Sequence, residues 1–508
     1  MGSFYITTPI YYPNALPHIG HAYTTVAADF IARYHRLRGD DTFFLTGTDE
    51  HGRNVANAAE NAGLEPQEYV DQIEHGWKDV WQGLDISFDD YIRTTQPRHV
   101  DAVLKLLTAV HDNGRDDIYM DRYEGLYCVS CEAYYVEADL VDGNCPVHGR
   151  PVEPMSEDNY FFRLSAYEDR LLAHYEANPQ AVQPETRRNE VLSLIRGGLR
   201  DFSISRSSFS WGIPLPWDPA HVTYVWFDAL TNYITAAGYA DDPDRFARLW
   251  PANVHLMAKD IIRFHAVYWP AMLMAAGVEP PQQVWSHGYL LVGGEKMSKT
   301  NLTGIHPFEL SDHFGVDAYR YYFMREISFG KDGSFSWEGM ETRYKADLAN
   351  GLGNLASRVL AMVGSYFDGE VPAPVAEGHD GGLPQLVADV ASRYDDYMLA
   401  LELNQALTAV WEIVGRANEF LVEEEPWKLG EGKADELATV LYVAAETLRV
   451  LAVMIFPIMP QAAQRLWSQL GVAEQLSDQR IPDATRWGGL VAGTRVTKGD
   501  SLFPRLEE

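Results

Sequence analysis

Residues 4–39 read FYITTPIYYPNALPHIGHAYTTVAADFIARYHRLRG, and this stretch decides the fold. Phe4 to Thr8 is a short run of aromatic and β-branched residues, the composition of a strand, and Pro9 ends it. A loop rich in Pro and Asn runs to Pro17. His18 to Arg38 then has helical composition, and Gly39 supplies the stop. Asp41 to Thr46 is a second apolar strand, followed by a Gly-Thr-Asp loop and another helical stretch. Strand, loop, helix, strand is the grammar of a parallel α/β sheet, whose ligands gather at the strand carboxyl ends. The helix opens on His18-Ile19-Gly20-His21, where unpaired N–H groups and the positive end of the helix dipole suit a phosphate. Gly20 lets a flat nucleotide approach the backbone. His18 and His21, one turn apart, face the same way and can donate to phosphate oxygens. On their own, two histidines at a helix start are more often just surface caps.

The texture changes twice further on. From about Arg115 to Arg150, Cys, Gly, Pro and Tyr dominate without a helical period. Tyr224–Tyr233 and Val254–Trp269 return to strand-then-helix texture. After about Gly351 the chain turns helical: apolar residues at 403, 407, 410, 414, 417 and 421 mark one helix face, and Leu437 to Phe456 continues the theme. Pro and Gly between Gly369 and Pro384 predict a linker between helices.

Composition sets limits. The 508 residues allow two to four domains, and 46% hydrophobic with 22% charged residues is an ordinary globular mix. The net charge of −31 excludes a general nucleic-acid-coating protein, while leaving room for a partner held at a local basic patch. Met1 to Asn14 has no basic residue and two prolines, unlike a signal peptide. The longest apolar run, Val450 to Pro460, is too short to span a bilayer. Three cysteines are too few for a disulfide framework, so a reducing, cytoplasmic setting and no membrane partner are expected.

Those three cysteines fall together. Cys128-Val-Ser-Cys131 and Cys145-Pro-Val-His148 provide two thiolate-rich turns and four donors of the types zinc takes tetrahedrally. A redox pair would need a βαβ context that is absent here. A closed four-donor set predicts one structural zinc, folding a Gly-rich insertion with little core of its own. A second loop, Gly293-Gly-Glu-Lys296-Met-Ser-Lys299-Thr300, carries two lysines beside glycines, as suits a mobile cover over a polyphosphate.

The HIGH and KMSKT elements together resemble the HIGH and KMSKS signatures of class I aminoacyl-tRNA synthetases, with Thr300 retaining the final hydroxyl. Over essentially the whole chain the surroundings resemble the methionyl-tRNA synthetase family. The carrying stretches are TTPIYYPN (7–14), TGTDEHG (46–52), YEGLYCVSC (123–131), YVWFDALTNY (224–233), AKDIIRFHAVYWP (258–270), GNLASR (353–358) and EPW (425–427). The zinc cluster resembles that family's single-knuckle form. The fold class expected is α/β: a Rossmann-type parallel-sheet catalytic domain (1–114 and 224–290) split by a zinc-binding connective insertion (115–223), then a KMSKS-loop and stem-contact region (291–350) and an α-helical anticodon-binding domain (351–508).

The resemblance implies ATP-dependent activation of L-methionine to methionyl-adenylate. Transfer to the 3′ end of tRNA(Met), initiator tRNA included, follows. Phosphoryl chemistry of this kind needs positioning and charge neutralisation, not a protein nucleophile. It implies that His18, His21, Lys296 and Lys299 act on the triphosphate, with Asn14, Gly20 and Asp260 binding ATP and Mg²⁺ accompanying it. It assigns methionine to Ile10, Tyr12, Trp226, Ala229, Leu230, Tyr233, Ile261, His265 and Trp269, with Asp49 holding the ammonium. A thioether offers shape and sulfur–aromatic contacts but no strong polar handle, so many apolar walls are expected. Asn354 and Arg358, at i and i+4, and Trp427 are the implied anticodon readers. Other members of the class fit less well: valyl, isoleucyl and leucyl forms carry a longer editing insertion, and cysteinyl forms use zinc in the active site. A tRNA-binding paralogue without catalysis would not need both lysines and both histidines. A small adenylyltransferase sharing the HIGH-like turn would lack the long helical C-terminal region. A monomer is expected.

Charge is unevenly spread. Residues 351–508 hold 12 basic and 23 acidic residues, and residues 291–350 hold 7 and 9. Residues 187–206 carry five arginines against Glu190 and Asp201, a basic strip expected to guide the acceptor end.

Overall fold

The computed structural model describes residues 2–129, 133–135, 137–146, 149–292, 295–296, 305–429 and 431–506. Six parallel strands form the central sheet: β1 (Ser3–Thr7), β2 (Asp41–Thr48), β3 (Asp90–Arg93), β4 (Val182–Gln183), β5 (Val254–Ala258) and β6 (Val284–His287). Their spatial order is β3-β2-β1-β5-β6-β4. The chain winds outward from β1 in both directions, so the crevice between the carboxyl ends of β1 and β5 is the switch point where such sheets bind ligands.

Alternation along the strands builds a core on each face. Phe4, Ile6, Phe44, Leu256 and Trp285 join one cluster, with the first helix and the C-terminal helices. Tyr5, Leu45, Met257 and Val284 point the other way, into a cluster shared with the inserted segment. The first helix is Ile19–Arg38, and Gly39 ends it at φ 86°, a left-handed position that glycine takes without strain.

The insertion is a four-stranded antiparallel sheet built on Ile118–Cys128 and Glu153–Phe162. It does not hold all of 115–223: β4 returns to the edge of the parallel sheet beside β6. Tyr224–Tyr233 also departs from its strand-then-helix texture. It forms the helix Val225–Leu230 and begins Asn232–Ala237, because burial on all sides removes the alternation that would have favoured a strand. A small sheet follows, in which Leu290–Val292 pairs with Glu295–Lys296 and Gly333–Phe335.

The C-terminal region is helical, with Asn354–Tyr366, Leu383–Leu399, Leu403–Glu424, Ala434–Ile455 and Pro460–Leu470 as its main helices. Leu403, Leu407, Val410, Val414, Ala417 and Leu421 are all buried, on the face their spacing predicts. Ala434–Ile455 is long and apolar enough to cross a membrane by length and composition, a longer apolar element than the run at 450–460 suggests. Its apolar window is wholly buried inside the fold, as a core helix should be.

Candidate active site

At the switch point lies a cavity of about 780 Å³. Its floor is the start of the first helix. His18 is the N-cap: its Nδ1 accepts from Gly20 N at 3.0 Å, and His21 Nδ1 accepts from His18 N at 3.3 Å. Two histidines thus complete a reciprocal cap normally made by Ser or Thr with Glu. Their rings stack at 3.8 Å between centroids, and His21 also packs on Tyr11 and Trp77. Because each Nδ1 accepts a backbone N–H, the ring proton sits on Nε2. Ile19 N donates to Ile305 O, so the chain leaving the KMSKT loop is anchored at the helix start. The backbone of Lys296 pairs with Leu291 at the other end of that loop. Lys299, Cys131 and His148 lie outside the described residues.

One wall is the loop after β2. Asp49 is 4% exposed, and its N–H donates to Tyr11 O at 2.9 Å. Gly47 is required just before it, since a Cβ there would lie 2.0 Å from Ile92 O. Burial pushes the Tyr11 hydroxyl up to about 12, so it stays protonated and hydrogen-bonded to Thr25. The opposite wall combines the helix of Trp226, Ala229 and Leu230 with Ile261 and with His265, which sits in a wide π turn at Phe264–Tyr268. Trp226 stacks flat on Phe264, centroids 3.7 Å apart. His265 Nδ1 donates to Ile261 O at 3.0 Å, and its Nε2 accepts from the Tyr233 hydroxyl at 2.7 Å. Burial pulls His265 down to about 4, so it is neutral at physiological pH and the apolar end carries no imidazolium.

Ile10, Tyr12, Asn14, His18, Gly20, His21, Asp49, Trp226, Ala229, Leu230, Tyr233, Asp260, Ile261 and His265 all line this one cavity. Trp269 does not. It is fully buried and packs on Tyr233, at 6.1 Å between centroids. Sequence reasoning passed over Phe264, Asn232 and His287, which also line the cavity. His287 ends β6, and its Nε2 accepts from Thr24 at 2.7 Å on the first helix. Its position at a strand carboxyl end beside the switch point is the signal that could have found it.

The insertion covers the cavity with Tyr135, Pro146 and Arg150. Next to them, Cys128 and Cys145 are both buried. Cys145 sits in a tight turn in which its N–H donates to Arg150 O and its carbonyl accepts from Gly149 N, each at 2.8 Å.

Far from the cavity, Glu425 at φ 42° ends the helix Leu403–Glu424, and Trp427 follows on the next short turn, 44% exposed. The Arg358 guanidinium lies over its ring at 5.2 Å, and Asn354 is exposed one turn earlier. With its ring this exposed, Trp427 is not a helix-packing anchor. The basic strip at 187–206 is also thinner than its sequence. Arg206 is buried against Glu157 and Tyr127, and Arg187 is paired with Glu190.

Two family models match the chain: class I tRNA synthetases (M) over residues 4–360, and the anticodon binding domain of methionyl tRNA ligase over residues 371–508. A methionine–tRNA ligase of Streptomyces coelicolor is 53% identical over all of this chain and 97% of its own length. One from Caldanaerobacter subterraneus is 48% identical over 99% of this chain and 79% of its own. Among solved structures, Mycobacterium tuberculosis methionyl-tRNA synthetase in complex with methionyl-adenylate superposes with a TM-score of 0.95 at 46% identity, covering 99% of this chain and 100% of that one. With both family models tiling the chain, full-length identity near one half and a superposable fold, the chain belongs to the methionyl-tRNA synthetase family of class I aminoacyl-tRNA synthetases.

Proposed function

We propose that this chain activates L-methionine with ATP and passes the methionyl group to the 3′ end of tRNA(Met), initiator tRNA included. The observation that carries the reading is the single cavity in which a carboxylate, Asp49, faces a neutral, aromatic-lined wall, beside a helix start capped by two histidines. Asp49 holds the substrate ammonium, and Trp226, Leu230, Tyr233 and Ile261 enclose the thioether by shape. With the head held there, the methionine carboxylate attacks the α-phosphate of ATP and pyrophosphate leaves. His18 and His21 donate from Nε2 to phosphate oxygens as charge builds, reinforced by the dipole of the first helix. Asn14 and Gly20 border the nucleotide, and Asp260 holds its ribose. Lys296 and Lys299 close over the departing pyrophosphate. Mg²⁺ bound with ATP neutralises phosphate charge. Asn354, Arg358 and Trp427 read the anticodon by edge bonding and stacking.

One structural zinc would be held by Cys128, Cys131, Cys145 and His148. The two described thiols suit it, being buried at the ends of a strand and a tight turn in a sheet with little core of its own. We read the enzyme as a cytoplasmic monomer, with an acidic surface that disfavours RNA in general and leaves only local basic positions for one shaped RNA. Pyrophosphate exchange across the amino acids tests the activity. Methionine alone should support exchange; exchange with leucine or cysteine instead, or none at all, overturns the reading. Metal analysis should return about one zinc per chain, and an active, metal-free protein would remove the zinc.

A further inference from the structure

Asp228 has no exposed surface. It sits between Trp226 and Ala229 in sequence, on the helix whose neighbouring side chains line the cavity. Its two oxygens meet two histidines from two other elements. Oδ2 is 2.7 Å from His51 Nδ1, and Oδ1 is 2.7 Å from His99 Nε2. His51 lies two residues past Asp49 in the loop after β2, and His99 is in the first turn of the helix Pro97–His111. Burial raises the Asp228 carboxyl, but His51 and His99 outweigh it and hold the group at about 2. None of the three residues touches the cavity. His51 and Asp228 each lie within two residues of a lining side chain, Asp49 for the first and Trp226 and Ala229 for the second.

The loop of Asp49 has other holds. The Glu50 carboxylate takes Thr48 at 2.8 Å and Arg93 at 2.7 Å on the sheet side, and Trp211, outside the sheet, bonds Glu50 O through Nε1 at 2.7 Å and accepts from Gly52 N. His51 is the side chain of the loop that bonds the apolar wall's own helix, at Asp228. A charge-assisted bond at this length tolerates little change in geometry, and inside the protein it is worth more than a neutral one.

Methionine has a charged head and an apolar tail. A site that holds both ends selects chain length through the separation of the two walls, and a slack wall loses a discrimination that is small per methylene. We propose that Asp228 is a positioning residue for amino-acid selection: through His51 it fixes the separation between the loop that faces the ammonium and the wall that encloses the thioether. This inference rests on the methionine reading above. Wild-type pyrophosphate exchange with methionine therefore comes first, since its absence would sink that reading rather than this one.

The test uses the full chain and two sets of variants. Asp228→Asn keeps the shape and removes the charge. It should lower the melting temperature, and in the folded variant raise the KM for methionine about 10-fold while leaving the KM for ATP close to wild type. It should also lower the preference for methionine over its S-ethyl analogue several-fold. His51→Ala should do the same. His51→Asn, whose amide N–H can still donate to Asp228, should recover most of the loss; this pair carries the test should Asp228→Asn fail to fold. An unchanged methionine KM and an unchanged analogue preference in Asp228→Asn would overturn the proposal. So would methionine and ATP KM values rising together in His51→Ala with no recovery in His51→Asn, the pattern of a merely structural contact.

Discussion

Asp317 carries a cost that the fold tolerates. It is 4% exposed at the start of the helix Val316–Glu326, and one oxygen accepts from Ala462 N at the start of Pro460–Leu470. The other has no partner among the described residues, and burial pushes the carboxyl up to about 6. A raised acid prefers its protonated form in the folded state. Its favourable contribution is therefore fully present below the ordinary value near 3.8 and is lost as pH rises through about 6. Asp317→Asn keeps an acceptor for Ala462 without the charge. It should stabilise the protein by about 2–3 kcal/mol at pH 7.5 and by little at pH 4, read as melting temperature across that range. A gain that is the same at both pH values would show that burial of the charge is not the cause. Trp427 makes the opposite point: an aromatic ring left 44% exposed under a guanidinium serves recognition better than stability. Trp427→Ala should reduce tRNA charging at least about 10-fold, from the stacking lost, while sparing pyrophosphate exchange and the melting temperature. Unchanged charging would return the residue to a packing role.

Elements show how far sequence can be read and where it stops. The stop of the first helix at Gly39 and the apolar face of Leu403–Glu424 were legible because period and turn chemistry are local. The histidine pair at a helix start was legible from the residues, whereas Asp49 and Trp226 were reached only through the family resemblance of the runs around them. Phe264, His287 and Asp228 were not, because each reaches the site by topology: the π turn, the end of β6 and the back of a wall are set by packing between distant segments. Strand β4, two residues long, was invisible for the same reason, since pairing with β6 gives it its only order. β2 shows a local residue obeying a non-local demand. Gly47 O accepts from Tyr11 N, and a methyl at Gly47 would press on the backbone of β3. Gly47→Ala must separate β2 from β3 and shift the loop that carries Asp49. It should destabilise by about 1–3 kcal/mol and reduce methionine activation more than that loss of folded protein explains. Calorimetry beside exchange kinetics at a temperature where the variant is folded checks this. Normal activation would mean the loop is held from elsewhere.

At the scale of the whole molecule, the first helix is the member that both halves share. Its start carries His18 and His21, its middle carries Asp29, and its end carries Arg38. Asp29 is fully buried; burial raises its carboxyl, but Arg33 and Arg320 outweigh that and hold it ionised. Arg320, equally buried on Val316–Glu326, bonds Asp29 and also donates to Leu84 O at 3.1 Å, Pro457 O at 3.2 Å and Ile458 O at 2.8 Å. One guanidinium thus joins the first helix, the chain before β3 and the helical region. Further along, Arg38 bonds Asp395 at 3.1 Å, and Ile481 N donates to Leu37 O. A hub of this kind adds little net stability when intact but leaves several unpaired carbonyls when cut. Arg320→Leu should therefore cost about 3–5 kcal/mol, and Asp29→Leu with Arg320→Leu should recover none of it, because Arg33 and Ser87 still hold Asp29 when Arg320 is gone. Because the hub spans both regions, its loss should also separate their unfolding in calorimetry further than in the intact protein. The ATP KM should rise with it, since the same helix presents the histidine cap. Unfolding that is merely shifted and no further separated in Arg320→Leu, with ATP affinity intact, would place the coupling in the surrounding apolar interface, where Tyr321 packs on Trp411 at 4.3 Å.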